Sequence, residues 1–141
     1  QKRVLGLDGR AVDLEALVQG DRLVIDITVS PHEQRLIPAI LTDLLPPGFE
    51  IEAEISSAEG APRGAYAWLG QIVSPSMSET RDDRYAAALD LTQRRPRRLA
   101  YIVRAVTPGE YTLPGAVVED MYRSDVYARS QTRRVVIAPR D

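Results

Sequence analysis

Cysteine is absent from this chain of 141 residues, and histidine, lysine, tryptophan and phenylalanine occur once each. Without cysteine the chain can form no disulfide, thiolate metal site, thiol nucleophile or thioester of its own. The one histidine, His32, cannot build a closed zinc site without further nitrogen or sulfur ligands. Apolar runs all stay below ten residues, so no helix of this sequence can cross a bilayer. The N-terminus lacks the basic, apolar and small-residue succession of a signal peptide. It reads Gln1-Lys2-Arg3 with no methionine, as expected of a piece of a longer polypeptide.

Several catalytic signatures are missing too. There is no Gly-x-Ser-x-Gly elbow to present a serine to His32, which follows Ser30-Pro31 at a strand end and reads as an exposed loop residue. No Gly-x-Gly-x-x-Gly or Walker pattern cradles a phosphate, and no Asp-x-Asp-x-Asp-Gly series holds calcium. Carboxylates occur as Asp82-Asp83, Glu119-Asp120 and the alternating Glu50, Glu52 and Glu54, but no spacing selects an acid/base pair. Asp82, Asp83 and Asp43 are the residues a carboxylate enzyme would use. Beside them, Arg81 and Arg84 point to ion pairing in a loop. The expectation is a non-enzymatic domain that needs no cofactor or metal.

What is present is an ordinary globular composition, 44% hydrophobic and 27% charged, of a length that suits one domain over residues 1–141. Charge is uneven: residues 1–70 carry six basic and eleven acidic side chains, residues 71–141 twelve and nine. This falls short of the dense basic footprint of a nucleic-acid binder. Arg94 to Arg98 holds four arginines around Pro96, but no second cluster or interleaved aromatics extend it, and it reads as a solvated hairpin tip.

Period two dominates the pattern. Leu23, Ile25, Ile27 and Val29 share one face of a strand. Leu36 to Leu45 is a second, and its Pro38 predicts an edge strand or a strand start. Pro46-Pro47-Gly48 makes a turn, and Phe49 to Ile55 alternates again, with its glutamates facing water. Residues 56–64 and 74–82 read as loops around the aromatic segment Ala65 to Leu69. Tyr85, Ala87, Leu89 and Leu91 alternate, then Leu99 to Val106 forms a strand closed by Thr107-Pro108-Gly109. Glu110 to Pro114 extends onward, and Arg133 to Ile137 is the last strand. Asp13 to Val18 could make one capped turn. With no sustained helical period, the fold class is all-β, an antiparallel sandwich of about eight or nine strands.

The unusual stretch is Leu113 to Tyr122. It lies between predicted strands, yet it carries Val117, Val118, Met121 and Tyr122, with Tyr127 close behind. Such residues either fold over the domain's own core or are offered to a partner, and a thioether beside a large polar-tipped ring suits a pocket on another surface. A rival reading is a free-standing adhesion or carbohydrate-binding sandwich whose platform is Tyr66 and Trp68.

A resemblance enters through whole phrases. Asp21-Arg22-Leu23-Val24, Asp43-Leu44-Leu45-Pro46-Pro47-Gly48-Phe49-Glu50-Ile51, Arg81-Asp82-Asp83-Arg84-Tyr85, Tyr101 to Tyr111, and Val118-Glu119-Asp120-Met121-Tyr122 stand in the order found at the C-terminal end of bacterial alpha-2-macroglobulins. The chain resembles that family from about Asp8 to Tyr122. The resemblance implies a macroglobulin-like β-sandwich, the last domain of a large periplasmic, inner-membrane-anchored trap for proteases. It implies that Met121 and Tyr122 form a lock loop, placed by Val117 and Val118, over a thioester in another domain of the parent. In thioester-lacking members, such as the MagD type, the same loop would hold a domain interface. Implied partners are the parent's other domains and trapped proteases, with no nucleic acid and no direct membrane insertion. Residues 122–141 exceed short-tailed members and are expected as a flexible tail with one last strand.

Overall fold

A computed structural model describes residues 1–92, 94–123 and 125–141. Gln93, beside the arginine run, and Ser124, in the expected tail, lie outside the described residues. Among the described residues twelve strands form three sheets, and there is no α-helix, only a 3-10 turn at Ala67–Leu69. In chain order the strands are β1 (Lys2–Gly6), β2 (Leu17–Val18), β3 (Arg22–Val29), β4 (Ile37–Leu44), β5 (Phe49–Glu54) and β6 (Met77–Arg81). They continue as β7 (Arg84–Leu91), β8 (Arg97–Ala105), β9 (Gly109–Leu113), β10 (Val117–Asp120), β11 (Tyr127–Arg129) and β12 (Arg133–Ala138). The all-β expectation holds, with twelve strands in place of eight or nine.

One sheet has the order β1-β3-β8-β5, a second β11-β10-β4-β7-β6, and a small third β2-β12-β9. All pairings are antiparallel except the short β12–β2 contact, which is parallel. The inward residues of the two large sheets meet in one core: Val4, Leu23, Ile25, Ile27, Tyr101 and Val103 from the first, Ile37, Ala39, Leu41, Tyr85, Ala87 and Leu89 from the second. Alternation thus sets the inner face of each strand, as two inner faces of a sandwich require. The third sheet adds Leu17, Leu113, Val135 and Ile137 to the same core. Val135 and Ile137 are fully buried, so residues 133–138 of the expected tail are part of the packing.

The outer face of the four-stranded sheet is also dry. Val24, Ala100 and Ile102 are covered by Ile55, Leu69 and Ile72, which arrive on the long segment after β5. A β-bulge brings that segment there. Register against β8 slips between Ile51 and Ala53, leaving Glu52 as the extra residue. Past the bulge the alternation is reversed, as an unpaired residue dictates. Glu54 then shares the side of Tyr101 and accepts the Tyr85 hydroxyl at 2.7 Å. All three glutamates are exposed, as expected, but not in one row: Glu50 and Glu52 pair with Arg104 and Arg22, while Glu54 lies on the other side at the rim of the core.

Of the two readings of Pro38, the strand start holds and the edge does not: Pro38 is the second residue of a central strand, flanked by β7 and β10, and its carbonyl accepts from Met121 beyond the end of β10. Three other expectations change. Residues 77–81 within the second expected loop form β6, an edge strand exposed along its whole length. Arg94 to Arg98 is no hairpin tip, because β7 and β8 belong to different sheets and this stretch crosses between them. The segment from Val117 to Asp120 is no loop but a strand held on both sides. The capped Asp13 turn forms as expected, its carboxylate accepting the Glu15 N–H at 2.9 Å and its carbonyl the Ala16 N–H at 3.1 Å, but Leu17 and Val18 leave it as β2.

Candidate functional site

Strand β10 is anchored before it begins. The Ala116 N–H donates to Ser130 Oγ at 2.8 Å and the Ser130 N–H returns to the Ala116 carbonyl. Gly115 lies so close to the Ser130 backbone that a Cβ would stand 1.8 Å from the carbonyl oxygen, which only glycine allows. Val117 then pairs with Thr42 and Arg129, and Val118 with Leu41 and Ala128. Val118 follows Leu41 to the inner face and packs on the core; Val117 lies half-buried on the other side.

At the far end the backbone is pinned. The Met121 N–H donates to the Pro38 carbonyl at 2.9 Å, one step past the last ladder pair. Asp120 is buried, and its Oδ1 accepts the Tyr122 N–H at 2.9 Å while Oδ2 takes Arg35 Nη2 at 3.1 Å. The Tyr122 N–H, and after it Arg35, holds this carboxyl below the usual aspartate range. The Asp120 N–H bonds to the Val126 carbonyl and the Val126 N–H to that of Arg123, closing the reversal into β11.

The side chains on this fixed frame are free. Met121 is 48% exposed and Tyr122 83%. Tyr127, on β11, and Leu36, just before β4, add two more exposed apolar groups from the strands flanking β10. Of the four sequence-predicted residues, then, the structure brings Val117 and Val118 into the sheet and leaves Met121 and Tyr122 exposed just past its end. Of the residues that hold the turn, the sequence names Pro38 only as a strand signal and Asp120 only as one of a carboxylate pair, and Arg35 is not singled out. The acidic residue directly before Met121 was the available signal.

The other candidates are dispersed. His32 is exposed in the bend before β4. Asp83 is bonded by the neighbouring Arg84, which lowers its pKa, and Asp82 is exposed in the β6–β7 turn. Asp43 is on the inner face of β4, sealed in the core opposite Tyr85. No cluster of three His, Cys, Asp or Glu suited to a metal ion occurs among the described residues. Arg98 is drawn out of the arginine run toward Asp26, 3.2 Å away, and donates to the Leu69 carbonyl. Tyr66 and Trp68 meet edge to face, with centroids 6.4 Å apart. Trp68 donates to the Leu7 carbonyl at 3.2 Å and its ring closes over Gly9, so the pair forms a structural corner and not a flat platform.

Residues 1–125 match the family described as the bacterial alpha-2-macroglobulin MG10 domain. The chain belongs to that family. Among curated relatives of this MG10 domain, an alpha-2-macroglobulin of Xylella fastidiosa is 39% identical over 132 residues, covering 86% of the chain and 8% of the relative. The chain therefore spans only about a twelfth of that relative's length. Among solved structures, Salmonella alpha-2-macroglobulin reacted with methylamine superposes with a TM-score of 0.85 at 33% identity, over 99% of this chain and 9% of that one. Escherichia coli alpha-2-macroglobulin activated by porcine elastase does so with a TM-score of 0.79 at 28% identity, over 99% and 13%. The resemblance read from the phrases is thereby established at the level of family and fold, and the MG10 match runs past Tyr122 through the turn that carries it.

Proposed function

We propose that this MG10 domain is a non-catalytic part of a periplasmic alpha-2-macroglobulin that traps proteases, and that Met121 and Tyr122 cover a reactive or mobile surface on the parent's body. The observation that carries the reading is the contrast at the end of β10: a backbone fixed by Pro38, Asp120 and Arg35, bearing two apolar side chains that the domain itself leaves in solvent. A thioether and a phenol ring can fill a cavity and exclude water from it, and an activated acyl group such as a thioester survives only where water and amines are kept away. A pinned turn suits that task, because little order is lost when it docks. The Salmonella relative's reaction with methylamine and the E. coli relative's activation by elastase support the same reading of the parent.

The test is methylamine uptake by the full parent protein, read by mass, for wild type and for Met121→Ala/Tyr122→Ala. Faster uptake by the double variant is expected if the pair guards a thioester. Equal uptake by both proteins removes the guarding role. Absence of uptake by either, even after protease cleavage, assigns the pair to a domain interface without a thioester.

A further inference from the structure

Lys2, the one lysine of the chain, lies inside the sandwich. It sits on the inner face of β1 opposite Ile27, with its side chain only 5% exposed. Its Nζ is 2.6 Å from Oδ1 of Asp43, a β4 residue with no exposed side-chain surface, and 3.0 Å from the Pro114 carbonyl. The other carboxylate oxygen, Oδ2, accepts the hydroxyl of Tyr101, whose ring stacks on Tyr85 at 4.6 Å. No lysine is more often out of place than one in a core, and a buried ion pair recovers its desolvation cost poorly.

We propose that Lys2 and Asp43 condense to an intramolecular amide that bolts β1 of one large sheet to β4 of the other. Transfer of one proton from Nζ to Oδ1 along their contact gives a neutral amine and a carboxylic acid. The Nζ lone pair attacks Cγ, and Tyr101 donates to Oδ2 as negative charge gathers there. The C–Oδ1 bond then breaks, and Oδ1 leaves as water with two of the three ammonium protons. The third stays on the amide nitrogen. Nothing outside the three residues is required, and nothing is oxidised or reduced.

Three features favour this step. Burial is the leading influence on both partners, lowering the pKa of Lys2 and raising that of Asp43, against their mutual attraction; each shift moves the pair toward the neutral forms that react. The reacting atoms are held in contact by two sheets, which replaces an encounter with a fixed approach. The product's hydrogen bonds already exist: the amide N–H keeps the Pro114 carbonyl, and the amide oxygen keeps Tyr101. Condensation removes both charges from the core and leaves every polar atom paired.

The experiment is a tryptic map of the denatured full parent protein, independent of any lock function. The expected product is a branched peptide in which Leu36–Arg63, containing Asp43, is joined to the peptide ending at Arg3, lighter than the sum of the two by one water. Cleavage after Lys2 should be absent in wild type and restored in Asp43→Ala. Linear Lys2-containing and Leu36–Arg63 peptides at full mass overturn the proposal. So does a water loss confined to Val4–Arg10, which contains the succinimide-prone Asp8-Gly9 step, without a branched product.

Discussion

Tyr111 occupies the space where a side chain at Gly48 would go: a Cβ there would stand 2.4 Å from the ring. The Tyr111 hydroxyl turns back to the carbonyls of Thr107, at 2.9 Å, and Pro108, at 3.2 Å. The Gly48 carbonyl in turn accepts the Val106 N–H at 2.8 Å. The Pro-Pro-Gly turn after β4 and the Pro-Gly turn after β8 are thus one joint, the arrangement in which a tyrosine corner fixes a sandwich end. Gly48→Ala should destabilise the domain by about 1–3 kcal/mol, the range for overpacking. Tyr111→Phe, which keeps the ring and loses the hydroxyl, should cost about 1 kcal/mol. Denaturant melts of both variants check the order; a Gly48→Ala as stable as wild type would mean the ring moves aside freely.

The last strand is expected to be indispensable. Ile137 is 2% exposed and packs among residues of all three sheets, so Ile137→Ala should cost about 2–5 kcal/mol. Removing residues 131–141 should leave a chain without a cooperative transition in the same melt, because β9 and β2 would lose the strand between them. A cooperative transition in the shortened chain would place these residues outside the folding unit.

Met121 and Tyr122 should behave in the opposite way. Their exposure predicts that Met121→Ala/Tyr122→Ala shifts domain stability by no more than about 0.5 kcal/mol. A thermal melt with a loss of several kcal/mol would identify them as core residues and end the covering role.

Acid should loosen the turn that carries them. The Asp120 carboxyl is depressed first by the Tyr122 N–H and then by Arg35. A depressed carboxyl contributes stability that is present above its unfolded value, about 3.9, and is lost as pH falls through the lower folded value. The Tyr122 amide resonance should therefore move on acidification with a midpoint below about 4, and stay still in Asp120→Asn. A midpoint above that range would show that the carboxyl is not engaged as drawn.

Much of this architecture is legible in the sequence, because a half-buried strand writes its inner face every second residue. Leu23, Ile25 and Ile27, or Tyr85, Ala87, Leu89 and Leu91, are read correctly for that reason. β6 is not legible: exposed on both faces, Met77 to Arg81 has no period to show. β10 is obscured differently, since its inward position 120 is an aspartate kept buried by Arg35 and by backbone that no local pattern announces. Pro38 is legible in part: its missing N–H fits an edge or a strand start, and the strand start is what β4 has, with the carbonyl still in use. The exposed Met121 and Tyr122 were visible as a composition anomaly, but not the fixed frame beneath them. Lys2 gave no sign of its burial, as its partners lie on β4 and the β9–β10 connection.

The single extra residue at Glu52 makes the domain sensitive to odd and even numbers. Up to Ile51 the inward residues of β5 count one way, and from Ala53 they count the other, which is what sends Ile55 outward to found the second cluster and Glu54 inward to Tyr85. Evolution can lengthen the bend at residues 56–66 without disturbing this arithmetic. A one-residue insertion or deletion between Phe49 and Ile55 would exchange the two sides at a stroke, so sequences of this fold are expected to vary in that bend and to keep the length of β5 fixed.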